Sequence, residues 1–154
     1  MKQDPSRIES QNGVEGDEDQ APGRYYISEE LSELNHRALP IIIAGRMGYM
    51  SQQAFDGPPT PDSDIQPYID RIADFDSHEP DFLLPDTPLK EAVFRVLLAH
   101  RNLPMTAAQI SEHLVERWAM SAYPRELSPE VIERLLNNSP NYCIARFVEG
   151  DTGA

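Results

Sequence analysis

The stretch "DFDSHEPD" gathers Asp74, Asp76, His78, Glu79 and Asp81, the residue types that hold hard cations or move protons. Calcium and magnesium take oxygen ligands at such density. A calcium loop of this kind also needs a glycine at its sixth position for the sharp turn, and none is present. The segment therefore reads as an acidic loop, with a metal site or an unrecognised enzymatic site there as the alternatives. "AGRMG" (Ala44 to Gly48) lacks the Gly-Lys-Ser/Thr ending of a phosphate-binding loop. His36, His78, His100 and His113 share no metal-ligand spacing. Cys143 is the only cysteine, which excludes an intrachain disulfide. With no base at motif spacing it reads as a core thiol. No catalytic residue, metal ligand or cofactor is assigned, and the chain is not expected to be an enzyme.

Charge narrows the remaining classes. The net charge is −13, and it is uneven. Residues 1–85 hold six basic against 17 acidic residues, whereas residues 86–148 hold seven of each. A phosphate backbone would be repelled by the front half and offered nothing special by the back half. The front half suits a basic surface instead, including one that otherwise holds nucleic acid.

The elements that carry these residues follow from patterning along the chain. Residues 1–24 are polar, acidic and punctuated by Gly and Pro, the composition of a disordered tail. Residues 25–85 form an acidic region of helices and loops, with a Pro-rich linker over 56–67. Ser28 caps a first helix with Glu29 and Glu30 in its first turn and Leu31, Leu34 and Ala38 on one face; Pro40 ends or kinks it at Leu39. "PIIIAGRMGYMSQQAF" keeps helical spacing at Ile43, Met47, Met50 and Ala54 and is taken as one helix. "PYIDRIADF" is a short amphipathic helix with Tyr68, Ile72 and Phe75 on its stripe. Phe82-Leu83-Leu84, in the next connector, should dock on something apolar. The longest apolar runs are far below the roughly 20 residues that span a bilayer, and the first residues lack a signal-peptide h-region. A cytoplasmic protein with no membrane contact is expected.

From Thr87 onward the punctuation is denser. Thr87 caps a helix with Pro88 at its first position and Leu89, Val93, Val96, Leu97 and His100 on its face. Thr106 and Gln109 form a capping box, and Met105 and Ile110 occupy staple positions. That helix runs to Trp118, with Ile110, Leu114 and Trp118 inward. Ser128, Pro129, Leu127 and Ile132 repeat the pattern for a third helix carrying Leu135 and Leu136, which stops at "NNSP". "YCIARFV" (Tyr142 to Val148) alternates and is rich in strand formers. The fold class is thus mainly α: helices and Pro-rich loops precede a C-terminal winged-helix-like module over 86–149, built from three helices and a short sheet. In it the link before the second helix pairs with the terminal strand. Residues 150–154 read as a flexible end.

"AVFRVLLAHRNLPMTAAQISEHLVERW", "LSPEVIERLLNN" and "YCIARF" together resemble winged-helix domains of the HARE-HTH type, over residues 87–148. The resemblance rests on a first helix, a "P-M-T" start to the second, an "S-P-E" start to the third and an apolar wing strand, in that order. It implies a winged-helix fold and an association with transcription or another nucleic-acid machinery. The sequence after Val148 offers no second wing strand.

Two sets of site residues follow. As a non-enzymatic adaptor, the module would hold a protein partner with a basic or apolar surface through Trp118, Met120, Tyr123 and Tyr142, while the acidic half meets a basic surface. As a DNA-binding regulator, it would use Arg134, Asn137 and Asn138 of the third helix with Arg146 of the strand. Glu130 and Glu133 on that helix would face the phosphates, so direct nucleic-acid contact is not favoured, and Lys90, Arg95, Arg101, Arg117 and Arg125 are interspersed with as many acids.

Overall fold

The computed structural model describes residues 22–122 and 124–148. The expected tail up to residue 21, Tyr123 and the C-terminal residues 149–154 lie outside the described residues. The fold is mainly helical with one three-stranded antiparallel sheet.

Strand β1 (Arg24–Ile27) comes first, then helices α1 (Glu29–Leu34), α2 (Leu39–Ala44), α3 (Tyr49–Gln53) and α4 (Gln66–Asp74). Helix α5 (Leu89–Ala99), strand β2 (Met105–Thr106), α6 (Ala107–Arg117), α7 (Pro129–Leu136) and β3 (Ile144–Arg146) complete the chain. Helix α5 is the axis of the molecule. Ala92, Val93, Phe94, Val96, Leu97 and Leu98 are all buried, so it has core on nearly every side. It contacts α4 from the front half, α6 from the back half, and β1. A single buried cluster runs from Tyr25 through Ile43, Ile69 and Ile72 to Ile110, Ile132 and Ile144.

The local caps form where the sequence places them. Ser28 accepts from the Leu31 N–H at 3.0 Å, and Ser128 from the Val131 N–H at 3.3 Å. Thr106 and Gln109 make both bonds of a capping box, at 3.1 and 2.9 Å. Elsewhere the elements depart from expectation. Helix α1 stops at Leu34, and Leu34 itself is exposed; His36 then takes a left-handed φ of 55°, and Pro40 starts α2 rather than ending α1. The single helix expected after Pro40 is two, α2 and α3, with a break at Gly45–Gly48. The cause lies 28 residues away: the Asp76 carboxylate accepts from Gly48 N–H at 2.7 Å and from the Ser51 hydroxyl at 2.5 Å. A remote side chain caps α3, and that anchors a new helix start. Thr87 is not the cap of α5, which begins one residue later behind Pro88 with no side-chain cap. The terminal strand is shorter than expected: Pro140–Tyr142 form a 3-10 turn and Cys143 is left-handed at φ 59°.

The sheet carries the largest correction. Strands β2 and β3 do not pair with each other; β1 lies between them, antiparallel to both. Tyr25 faces Met105 on one side and Arg146 on the other, and Ile27 faces Ile144. Arg24, expected at the end of the tail, is the first residue of the central strand. Tyr25 and Ile27 point into the core, which fixes the register of a strand this short. Asn102, left-handed at φ 59°, holds it from the α5–β2 link: Oδ1 accepts from Ile27 N–H at 2.7 Å and Nδ2 donates to Ile27 O at 2.9 Å. Asn102→Ala removes both bonds and puts alanine where asparagine is tolerated better. We expect a loss of about 1–3 kcal/mol, read from urea unfolding. A change below about 0.5 kcal/mol, the usual scatter of surface substitutions, would mean that β1 is held without this residue.

Among the described residues, no helix is long and apolar enough to cross a membrane.

Candidate protein-docking surface

Of the residues expected to form a docking patch on the back half, Tyr123 lies outside the described residues, and Trp118 and Tyr142 are drawn into the fold. Trp118 follows α6 and is only 7% exposed; its indole N–H donates to Leu83 O at 2.9 Å, and the Arg125 guanidinium lies 4.9 Å from the ring centroid. The expectation that Trp118 is an exposed anchor is therefore corrected: it receives the docking segment Phe82-Leu83, both buried. Leu84, grouped with them, stays exposed. Tyr142 is half-buried, with its hydroxyl bonded to Glu91 at 3.1 Å and its ring 5.3 Å from Phe94. Burial pushes its phenol up, and the neighbouring Glu91 carboxylate adds to that. Met120 is 96% exposed.

The nucleic-acid set fares similarly. Arg134 is exposed on α7, and Arg146 is exposed on β3 opposite Tyr25. Asn137 Oδ1 accepts from the Tyr25 hydroxyl at 3.1 Å, a bond that Glu133 shares at 3.3 Å. Asn138 Nδ2 donates to Arg134 O at 2.9 Å. Both amides are thus engaged in holding α7 and its end, not presented as a pair for a base edge.

The other cations of the back half turn toward the front half. Arg95 donates to Phe82 O at 2.9 Å, Arg117 to Glu79 O at 3.2 Å, and Arg125 to Pro85 O at 3.0 Å and to Thr87 O. Arg101 reaches the carboxylates of Asp70, at 3.2 Å, and Asp74. Four arginines therefore clamp the segment 70–87 onto α5 and α6, and no basic patch assembles from them. Lys90 is bonded to Asn138 O at 2.8 Å.

The acidic loop is dispersed by the same contacts. Asp74 faces Arg101 and Asp76 is buried under α3, so the five residues of "DFDSHEPD" do not all converge, although Asp76, Glu79 and Asp81 line one open pocket with Tyr49, Met50 and Arg95. Arg71 Nε donates to the Ser51 hydroxyl at 2.8 Å, extending the Asp76 network to α4. His100 and His113, unrelated in spacing, come within 4.2 Å of each other, ring to ring. Burial, with the neighbouring His100, lowers the His113 imidazole below its ordinary value. Among the described residues, no group of three His, Cys, Asp or Glu side chains is placed to hold a metal ion. Cys143 is buried, and burial raises its thiol.

What the front half does present is an open pocket of about 560 Å³ between α2, α3, the loop that follows, and α4. Ile41, Met47, Phe55, Pro58, Pro59 and Tyr68 supply its apolar walls, and Gln52 and Gln53 its polar edge. The Phe55 and Tyr68 rings stack at 4.7 Å and 30°. No carboxylate, imidazole, amine or thiol lines it, and the Tyr68 phenol is its one titratable group. The volume falls within the range of about 300–1,000 Å³ typical of small-ligand sites. On the same short helices Tyr49 is 73% exposed and Met50 64%, and Ile41 at the pocket is 44% exposed. Periodicity had assigned Met50 to a core face. With the helix interrupted at Gly45–Gly48, Met50 is exposed while Ile43 and Met47 are buried. Asp56, exposed, sits between the lining residues Phe55 and Gly57. Comparison with protein-family models, curated proteins and solved structures found no match.

Proposed function

We propose that the protein is a non-enzymatic adaptor whose acidic front half binds a basic surface on a protein partner. One observation carries this reading: Ile41 stands exposed at an open apolar pocket, and Tyr49 and Met50 stand exposed at a second open pocket that Asp76, Glu79 and Asp81 help to line, in the half that holds the charge excess. Exposed apolar side chains that cluster beside a pocket favour recognition. The surrounding charge sets which partners can approach. The carboxylates of Glu29, Glu30, Glu33, Asp56 and Asp62 form no ion pair with another described residue. They remain available to cations of a partner.

The back half serves, in this reading, as a winged-helix-like frame. Its three helices and the β2 and β3 strands keep the order of the HARE-HTH resemblance, with β1 in place of an adjacent wing strand. That resemblance supports a partner in transcription or another nucleic-acid machinery, in the cytoplasm. Direct reading of DNA by Arg134 and Arg146 gains no support from amides already bonded within the fold.

Affinity capture from cell extract, with and without nuclease, tests the proposal when wild type is compared with Asp56→Asn/Asp62→Asn/Asp64→Asn. A partner that survives nuclease, is released by salt and is lost from the triple variant is the expected result. Equal capture by the variant would sink the acidic contact. Retardation of DNA at low salt that Arg134→Ala and Arg146→Ala abolish would establish the DNA-binding alternative.

A further inference from the structure

We propose that the pocket between α2, α3 and α4 seats a bulky apolar side chain carried in a Lys/Arg-rich segment of the partner. This rests on the adaptor reading and names its anchor point. The rim is built before any ligand arrives. In the loop after α3, Thr60 N–H donates to the Ser63 hydroxyl at 2.9 Å, Ser63 N–H to Thr60 O at 3.1 Å, and Asp62 N–H to the Thr60 hydroxyl at 3.2 Å. Pro58, Pro59 and Pro61 stiffen the same loop, and Gly57 takes the φ of +83° that its turn requires. On the other wall, Asp76 and Ser51 fix the start of α3. A preformed apolar seat costs little ordering on binding, which is where anchor side chains are effective.

Charge decides among occupants. No charged side chain lines the pocket; Asp56 and Arg46 each lie between two residues that do, and Arg46 is already paired with Glu91. Asp62 and Asp64 follow on the same loop. A second copy of this chain would bring like charges together, at a net charge of −13 per copy. Anionic lipid and nucleic acid are disfavoured for the same reason. A polypeptide with an apolar side chain between lysines and arginines satisfies both the walls and the rim.

The probe is a fluorescein-labelled peptide, Lys-Arg-Lys-Leu-Phe-Lys-Arg-Lys, titrated with the full chain and followed by anisotropy. Two controls accompany it, one with Leu-Phe replaced by Ser-Ser and one with every cation replaced by Glu. Saturable binding of the parent is expected, weaker by about tenfold or more for either control. Ile41→Lys, at an exposed pocket position, should weaken the parent peptide comparably while circular dichroism and Tm stay those of wild type. Leu103→Lys, exposed and outside the pocket lining, should leave binding unchanged. Parent binding that Ile41→Lys does not alter, or no binding of the parent at all, overturns the proposal. So does a wild-type dimer in sedimentation that Ile41→Lys dissolves, since the pocket would then hold a second copy. If Ile41→Lys still captures the cellular partner and the Asp56/Asp62/Asp64 variant does not, the adaptor reading stands and the pocket assignment falls.

Discussion

Glu91→Gln is expected to lower stability by about 3 kcal/mol at pH 7 and to make no difference near pH 2. Glu91 lies on α5, where the front half, the central helix and the C-terminal turn meet. Its carboxylate accepts from Arg46 at 2.6 and 2.9 Å, from Arg95 at 2.8 Å and from the Tyr142 hydroxyl at 3.1 Å. Burial on its own would raise this carboxyl, but the hydrogen bonds and charges of Arg46 and Arg95 outweigh it and hold the group at about 2 instead of 4.5. A depressed carboxylate contributes stability that is fully present above its unfolded value, near 4.5, and is lost as the pH falls toward about 2. That shift corresponds to about 3 kcal/mol. Glutamine imitates the protonated state at every pH, so wild type and variant should converge through this window. Glu91 is only 15% exposed, which limits solvent screening. The measurement is urea unfolding of both proteins at pH 7, 4 and 2.5. A constant gap between them across this range would show that the Glu91 charge is not what the arginines require. Arg46 is further held over the Phe94 ring at 5.0 Å, and its Nη1 donates to Ile42 O at 2.8 Å, so loss of Glu91 also loosens the turn behind the pocket.

Trp118→Ala is expected to cost about 3–5 kcal/mol, the range for removing a large buried aromatic. The residue closes the core beneath Phe82-Leu83, and its indole satisfies Leu83 O. Trp118→Phe should keep most of the apolar contact and cost about 1–3 kcal/mol, chiefly for the carbonyl left without a donor. Trp118 is the only tryptophan, so native emission reports this site directly. Blue-shifted fluorescence, insensitive to added partner, is the expected signature of a core position. Wild-type stability of Trp118→Ala, combined with loss of partner capture, would restore Trp118 as a surface anchor.

Both predictions concern residues whose meaning changed between sequence and structure. The sequence placed Trp118 on the inward face of its helix, correctly, and also offered it as a contact for a partner, which its burial contradicts. Glu91 passed as one acid among seven in a neutral module. Of its partners only Arg95, four residues on, is a helix neighbour; Arg46 lies 45 residues upstream and Tyr142 51 residues downstream. Four arginines that looked interspersed with acids prove to be clamps on the segment 70–87, because their acceptors are mostly backbone carbonyls that no charge count registers.

The parts legible in one dimension are those whose physics closes within a single turn of helix. Ser28, Thr106 and Ser128 satisfy N–H groups three residues on, so type and spacing suffice to announce them. Mainly helical character and a strand near Ile144 follow from local pattern in the same way, whereas the periodic face expected for α5 holds only at Val93, Val96 and Leu97: Leu89 and His100 are half-buried, and Ala92, Phe94 and Leu98 are buried as well. The pocket has no such local basis. Its walls come from α2, α3 and α4, and Asp76, 28 residues beyond Gly48, holds the start of α3 where the helical pattern is interrupted at Gly45–Gly48. The central strand β1 is equally non-local: four residues are too few to show a period, and their ladder partners lie beyond residue 104. Hydrogen bonds between distant segments form only after chain entropy has been overcome by burial of the common core, and that burial is a property of the assembled fold.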